Sequence, residues 1–175
     1  MAKILSPTAF TKAVLKSFMA QSGLEPSFGG FLKHSKALIF DSFFRIMSAE
    51  AGRVNFELDI HKNHTNRLNT IHGGTLASLV DLAGSLAVAS TGRFATGVST
   101  DLNVTYLSPG GNPGDLLKGT ATCDKIGKTL AYTTVTFTNS KGQLAARGSH
   151  TKYVVGTMGD AGPYVLPAEA LEDVD

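Results

Sequence analysis

The sequence predicts an α+β domain in which an antiparallel sheet curls around one long apolar helix. Residues 75–89 carry a single ionisable side chain, Asp81, in a run otherwise built of apolar or small residues. Four segments after it (98–107, 116–123, 130–138 and 144–155) are rich in Thr, Val and aromatics. Turn chemistry at 108–114, 125–128 and 139–142 separates them, so they read as strands joined by hairpins. Two further alternating segments precede the helix. A helix this apolar buries itself best when a sheet wraps it.

From the N-terminus, residues 8–21 read as a helix because Ala9, Ala13, Val14, Leu15, Phe18 and Met19 recur at helical spacing. Ser22-Gly23 stops it, and Glu25-Pro26 with Gly29-Gly30 makes a loop. Residues 38–48 and 53–60 alternate as two strands around an Ala51-Gly52 turn, and 61–71 is polar and irregular. A helix of about five turns follows, with Leu76, Leu79, Val80, Ala83, Leu86 and Ala87 on one stripe and Thr91-Gly92-Arg93 at its end. Short links make the last four strands antiparallel neighbours. The expected organisation is an N-terminal helix and linker (1–35), the main domain (36–155) and a loosely attached tail (156–175) with five acids and no base.

A chain of 175 residues with 42% apolar and 17% charged side chains is long enough for a proper core and is not disordered. Sixteen basic against fourteen acidic residues, with no Trp, argue against a nucleic-acid partner. The apolar run at 75–89 is short for a membrane span and carries Asp81 at its middle, so no membrane span is expected. Cys123 is the only cysteine, which excludes an intrachain disulfide and fits a reducing compartment. It reads as a half-buried strand residue rather than a nucleophile. Lys3, Lys12 and Lys16 with no acid before Glu25 resemble a weak mitochondrial address, without Arg or a secretory core. The expected location is cytoplasmic or mitochondrial.

Asp81 lies nearly opposite the apolar stripe, beside Ala77, Ser78, Gly84, Ser85 and Val88. A solvent-facing helix would carry Lys or Glu there, so this small face is expected to be covered, and small residues admit a second helix or subunit. A carboxylate in that position is costly to desolvate unless bonded. It is either a structural acid held by backbone or Ser groups, or a general base or nucleophile in a crevice. His72-Gly73-Gly74 at the helix start offers backbone N–H groups and a favourable dipole to developing negative charge, the requirement of acyl transfer, or else is a plain entry turn. Gly73 and Asp81 are eight residues apart, roughly 12 Å along a helix. One chain's acid therefore does not reach a carbonyl held at its own helix start. Two antiparallel helices across a two-fold axis bring each Asp81 to the other chain's Gly73, so a homodimer, or a dimer of dimers, is expected.

Other groups carry less. His61, His64 and His72 lack acids at ligand spacing, so no metal is expected. The glycine-rich 109–114 segment lacks the helix that a phosphate loop requires. Lys118, Lys125, Lys128, Lys141, Arg147 and Lys152 make either a solvated sheet edge or a site for a phosphate-bearing substrate.

The segments HTNRLNTIHGGTLASLVD, GVSTDLNVTYLSP, GKTLAYTTVTFTN and RGSHTKY resemble the small hotdog-fold acyl-CoA thioesterases. The likeness is to the phenylacetyl-CoA thioesterase-like group and, within it, to the eukaryotic acyl-coenzyme A thioesterase 13 type, over about residues 50–155. It implies a hotdog fold and hydrolysis of acyl-CoA to acid and CoA, with no cofactor because coenzyme A is part of the substrate. Position by position it implies Asp81 as the base or nucleophile-activating acid, Gly73 N–H on the thioester carbonyl, Asn66 polarising that carbonyl or holding the water, Ser99 orienting the water or contacting the Asp81 site, and His72 supporting the loop. It also implies CoA contacts at Lys62, Asp101, Tyr106, Leu107, Ser108, Pro109, Gly110 and Gly111, then at Lys125, Ile126, Gly127, Lys128, Thr129, Leu130 and His150. Asn69 stands where a glycine is frequent, the 108–114 loop is about one residue longer, and the acidic tail is extra. A hotdog domain that binds acyl-CoA without cleaving it is the alternative. Dehydratase hotdogs are a third option, but the sequence has no His/Glu pair in their usual arrangement.

Overall fold

The protein is described by a computed structural model that covers residues 3–21, 28–31, 40–160 and 162–170. Helix α1 (Pro7–Gln21) begins with proline, whose missing N–H costs nothing in a first turn. It buries Phe10, Val14, Leu15 and Met19. The two ends of the expected 38–48 strand belong to different sheets. β1 (Gly29–Phe31), expected as loop, pairs with β2 (Phe40–Ser42) in a small two-stranded sheet, and residues 38–39 lie outside the described chain.

β3 (Phe44–Glu50) and β4 (Arg53–Asp59) form the expected hairpin. They open a six-stranded antiparallel sheet with β5 (Val98–Tyr106), β6 (Leu116–Ile126), β7 (Leu130–Thr138) and β8 (Leu144–Tyr153). The order across the sheet is β3-β4-β6-β7-β8-β5. This corrects the expectation of four sequential neighbours: β5 and β6 are not paired. β6 lies on β4, and β5 lies beyond β8 at the sheet edge. The link between β5 and β6 is too long for a tight turn. Its backbone instead ties the sheet end together, Gly111 accepting Ile71 N–H (2.9 Å) and Gly114 donating to the Ile60 carbonyl (2.8 Å). β6 runs three residues past its expected end through a bulge between Cys123 and Lys125, which absorbs the charged Asp124-Lys125 pair.

The sheet rolls around α2 (Gly73–Ala89), whose 17 residues make the expected five turns. Leu79, Val80, Ala83, Leu86 and Ala87 are fully buried. On the inner sheet face Phe44 stacks on Phe56 at 5.0 Å, and Phe137 meets Phe56 edge-on at 5.9 Å. Gly119 makes that stack possible, because a Cβ there would sit 2.1 Å from the Phe56 ring. Each buried ring contributes about 2–3 kcal/mol through area removed from water.

Much of the C-terminal segment is packed rather than loosely attached. Tyr164 donates its hydroxyl to the Ser90 carbonyl (2.9 Å), its backbone bonds Gly92 and Leu5, and its ring meets Phe10 edge-on at 5.7 Å. Leu166 is buried beside it, so aromatic and aliphatic anchoring outweighs the acidic composition. Residues 171–175 lie outside the described chain. No described helix is long and apolar enough to cross a membrane.

Candidate active site

Asp81 sits two turns into α2 with its side chain 45% exposed, on the open side of the helix. Half of the small face that carries it is covered by the chain's own sheet rather than left for a second subunit. Gly84, Ser85 and Val88 are buried, while Ala77 and Ser78 are only partly so. The covering strand is β8, which turns Ala146, Gly148, His150 and Lys152 inward at alternate positions. Gly84 is where the two elements touch, since a Cβ there would lie 2.7 Å from both His150 Nδ1 and Thr133 Oγ1.

Two side chains from two strands converge on one oxygen of Asp81. Ser99 Oγ donates to Asp81 Oδ1 at 3.1 Å, and His150 Nε2 lies 2.9 Å from Ser99 Oγ and 3.2 Å from Asp81 Oδ1. Ser99 is aimed there by a bulge in β5 between Ser99 and Asp101, the usual device for redirecting one side chain of a strand. With the serine proton committed to the carboxylate, the imidazole must donate from Nε2, and in the neutral ring Nδ1 is then the unprotonated nitrogen. Nδ1 is buried and has no hydrogen-bond partner, tolerable for a lone pair and costly for an N–H.

The charge of His150 follows from this. Burial, then the neighbouring Lys152 ammonium, push its pKa down to about 4 against the opposing pull of Asp81 and Asp101. The 3.2 Å contact with Asp81 is therefore a hydrogen bond from a neutral imidazole, not an ion pair. Asp81 is left as an accessible side chain, oriented by two donors.

His150 was expected to touch CoA. It is instead fully buried in the Asp81 cluster, because its strand position faces the helix. The signal was present in GSHTKY, where His and Lys two apart must share a strand face, but the inward direction of that face depends on pairing.

The helix start is built separately. His72 is the N-cap of α2, and its Nδ1 accepts the Gly74 N–H at 2.8 Å. The Gly73 carbonyl accepts the Tyr106 hydroxyl at 2.8 Å, so both ends of the Gly73–Gly74 peptide are held. Among the described residues Gly73 N–H meets no acceptor and is open to a ligand oxygen. Tyr106, expected only as a CoA contact, is thus also a brace for this turn. Asn66 is occupied locally. Its Oδ1 accepts Leu68 N–H (2.8 Å) and its Nδ2 donates to Thr70 (3.0 Å), closing a turn in which Asn69 has φ 60°. That left-handed conformation suits Gly or Asn and explains Asn69 at a position where glycine is frequent.

No hydrogen bond among the described residues joins Asn66, His72 or Gly73 to the Asp81 cluster of the same chain. Of the remaining expected contacts, Lys62 is exposed in the 3-10 turn Lys62–His64 and Asp101 is exposed on β5. Leu107, Ser108, Pro109, Gly110 and Gly111 follow the end of β5, with Gly110 buried on Ile71. Lys125, Ile126, Gly127, Lys128, Thr129 and Leu130 make the β6–β7 turn, exposed except for Ile126 and Leu130. Burial, then the Asp124 carboxylate, push the Cys123 thiol up, which suits a packing residue rather than a nucleophile.

A single long helix rolled in an antiparallel sheet, with a half-exposed acid on its open side, defines a hotdog domain with a hydrolase-type site. The thioesterase superfamily profile matches residues 68–146. Human acyl-coenzyme A thioesterase 13 is 44% identical over 110 residues, 62% of this chain and 78% of that protein. The crystal structure of zebra fish thioesterase superfamily member 2 superposes with a TM-score of 0.70 at 34% identity, covering 85% of this chain and 98% of that one. A hypothetical thioesterase from Streptococcus pneumoniae, solved with coenzyme A, gives a TM-score of 0.59 at 26% identity over 63% of this chain and 86% of that one. The chain belongs to the thioesterase superfamily.

Proposed function

We propose that the protein hydrolyses the thioester of fatty or aromatic acyl-CoA to the free acid and CoA. The observation that carries this is the accessible Asp81 carboxylate, fixed by Ser99 and a neutral His150. A carboxylate that is accessible and held in one orientation can meet and orient a water molecule. In the reaction Asp81 takes a proton from water and the hydroxyl oxygen adds to the thioester carbon. The Gly73 N–H meets the oxygen that becomes negative, the C–S bond breaks, and the proton passes from Asp81 to the CoA sulfur. Lysines around the β6–β7 turn meet the CoA phosphates.

The site is composite. Gly73 and Asp81 are eight residues apart on one helix, roughly 12 Å, too far to serve one carbonyl. The sheet has one edge guarded and one open. On β3, Thr8 of α1 exchanges two hydrogen bonds with Ala49 (both 2.9 Å), while among the described residues no strand pairs with the outer side of β5. Val98 and Tyr106 on β5 are 65% and 53% exposed, surface that a second copy would cover. A two-fold pairing along β5 brings two α2 helices side by side in a homodimer, and a dimer of dimers then forms through other surfaces.

Thiol release from short, medium, long and aromatic acyl-CoAs tests the activity and sets the acyl preference. Asp81→Asn should lower kcat by about 10²–10⁴-fold while acyl-CoA still binds. Acyl-CoA binding without thiol release by the wild-type protein would make it a binding domain instead.

A further inference from the structure

The amides of residues 71–74 lead into α2, and three of them have acceptors. Ile71 N–H donates to the Gly111 carbonyl (2.9 Å), His72 N–H to the His64 carbonyl (2.8 Å) and Gly74 N–H to His72 Nδ1 (2.8 Å). Gly73 N–H is the one without an acceptor among the described residues. Glycine has the widest choice of backbone torsions, so an open amide at a Gly-Gly pair keeps its direction only if the peptides around it are tied. On one side the His72 carbonyl accepts Leu76 N–H at 3.1 Å; on the other the Gly73 carbonyl accepts the Tyr106 hydroxyl at 2.8 Å. A carbonyl has two lone pairs, so a first-turn carbonyl can take a donor from outside the helix without giving up its helical bond. The ring also lies close against the glycine, since a Cβ there would stand 3.2 Å from Tyr106 Cζ. Tyr106 is itself pinned. It pairs with Ala146 of β8, and the next two amides, Leu107 and Ser108, both donate to the Ala145 carbonyl at 2.9 and 3.1 Å.

We propose that Tyr106 is a positioning residue for thioester hydrolysis, its hydroxyl locking the Gly73 peptide so that the open Gly73 N–H stays aimed at the thioester carbonyl oxygen. This role rests on the proposed hydrolysis and goes beyond the contact with CoA that the resemblance implies for the same side chain. A donor stabilises developing negative charge best when it is oriented before the reaction, because turning it during the reaction gives back part of the gain. The oxygen is neutral in the bound substrate and charged in the transition state, so a better aimed N–H favours the second over the first. Its loss therefore lowers kcat. A contact with CoA, made equally in both states, would raise KM instead.

Tyr106→Phe keeps the ring and removes the hydroxyl. Kinetics of acyl-CoA hydrolysis are measured for it and the wild type over a range of protein concentrations, and the Gly73 and Gly74 backbone resonances are recorded by NMR without substrate. Tyr106→Phe should lower kcat about tenfold, less than the loss of about 10²–10³-fold on removing an oxyanion donor itself, with KM changed less than about twofold. Its Gly73 carbonyl resonance should move as the hydrogen bond is lost, and Gly74 N–H should exchange with solvent faster. A raised KM with unchanged kcat makes Tyr106 a CoA contact alone and overturns the proposal. So does a kcat loss that recovers at higher protein concentration, which would trace to subunit pairing along β5. An unmoved Gly73 carbonyl resonance overturns the lock itself, whatever the activity. A wild-type protein without thiol release refutes the hydrolysis and the catalytic role with it, while a moved Gly73 resonance in Tyr106→Phe still establishes the lock.

Discussion

The neutral state of His150 makes the protein's stability depend on pH in a window set by one residue. Its pKa falls from 6.5, the ordinary value, to about 4 in the folded protein. Because the folded value is the lower one, the unfolded chain takes up a proton first as pH falls. The stabilisation from keeping the ring neutral is complete above about pH 6.5 and disappears progressively toward pH 4. At 1.36 kcal/mol per unit, a difference of about 2.5 units amounts to about 3 kcal/mol, a large fraction of a domain's total stability. Urea denaturation at half-unit steps from pH 7.5 to 4, at fixed protein concentration, measures it. His150→Gln, which cannot take the proton, should flatten the profile between pH 6.5 and 5. Asp59 does not interfere there. Its hydrogen bond with Arg45 holds its carboxyl below the ordinary 3.8, so its contribution is lost only at lower pH. A wild-type profile flat between pH 6.5 and 5, or an equal slope in His150→Gln, would refute the assignment of a neutral buried ring.

Three further outcomes bear on the site. Asp81→Ala and Gly73→Pro should each be nearly inactive, the second because proline removes the N–H at the helix start. Co-refolded together they should recover about a quarter of wild-type activity, since half of the dimers are mixed and each holds one intact site. Mixed dimers verified by native mass spectrometry but still inactive would rule out the composite site. Gly84→Ala should gain helix propensity yet lose about 1–3 kcal/mol net, because its Cβ would stand 2.7 Å from His150 Nδ1. Its kcat should fall by more than its thermal shift explains, and a stabilised, fully active variant would show that the imidazole moves freely. Lys128→Ala, in the exposed β6–β7 turn, should raise KM for acyl-CoA severalfold with kcat nearly constant, the signature of a contact made equally in ground and transition states.

The central helix, its five turns and its one buried-looking acid were legible in the sequence because each depends on local period and composition. So were the strands β4, β5, β7 and β8 to within a residue or two, since alternation and turn residues mark their ends. Asp81, Gly73 and His72 could be singled out for the same reason: a lone carboxylate in an apolar run and paired glycines at a helix start stand out in one dimension. Strand order was another matter. β5 reads like the first half of a hairpin with β6, and only the packing of a nearly all-round apolar helix sends β6 to β4 and leaves β5 outside β8. The roles of Ser99 and His150 depend on that order. Pairing between β5 and β8 brings Ser99 opposite Lys152 and next to His150, and a bulge of one residue sets the direction of the serine. Periodicity says that His150 and Lys152 share a face; it does not say which face is covered. A polar residue's charge and chemistry are decided by what surrounds it, and the partners here come from segments 18 and 51 residues away in the chain.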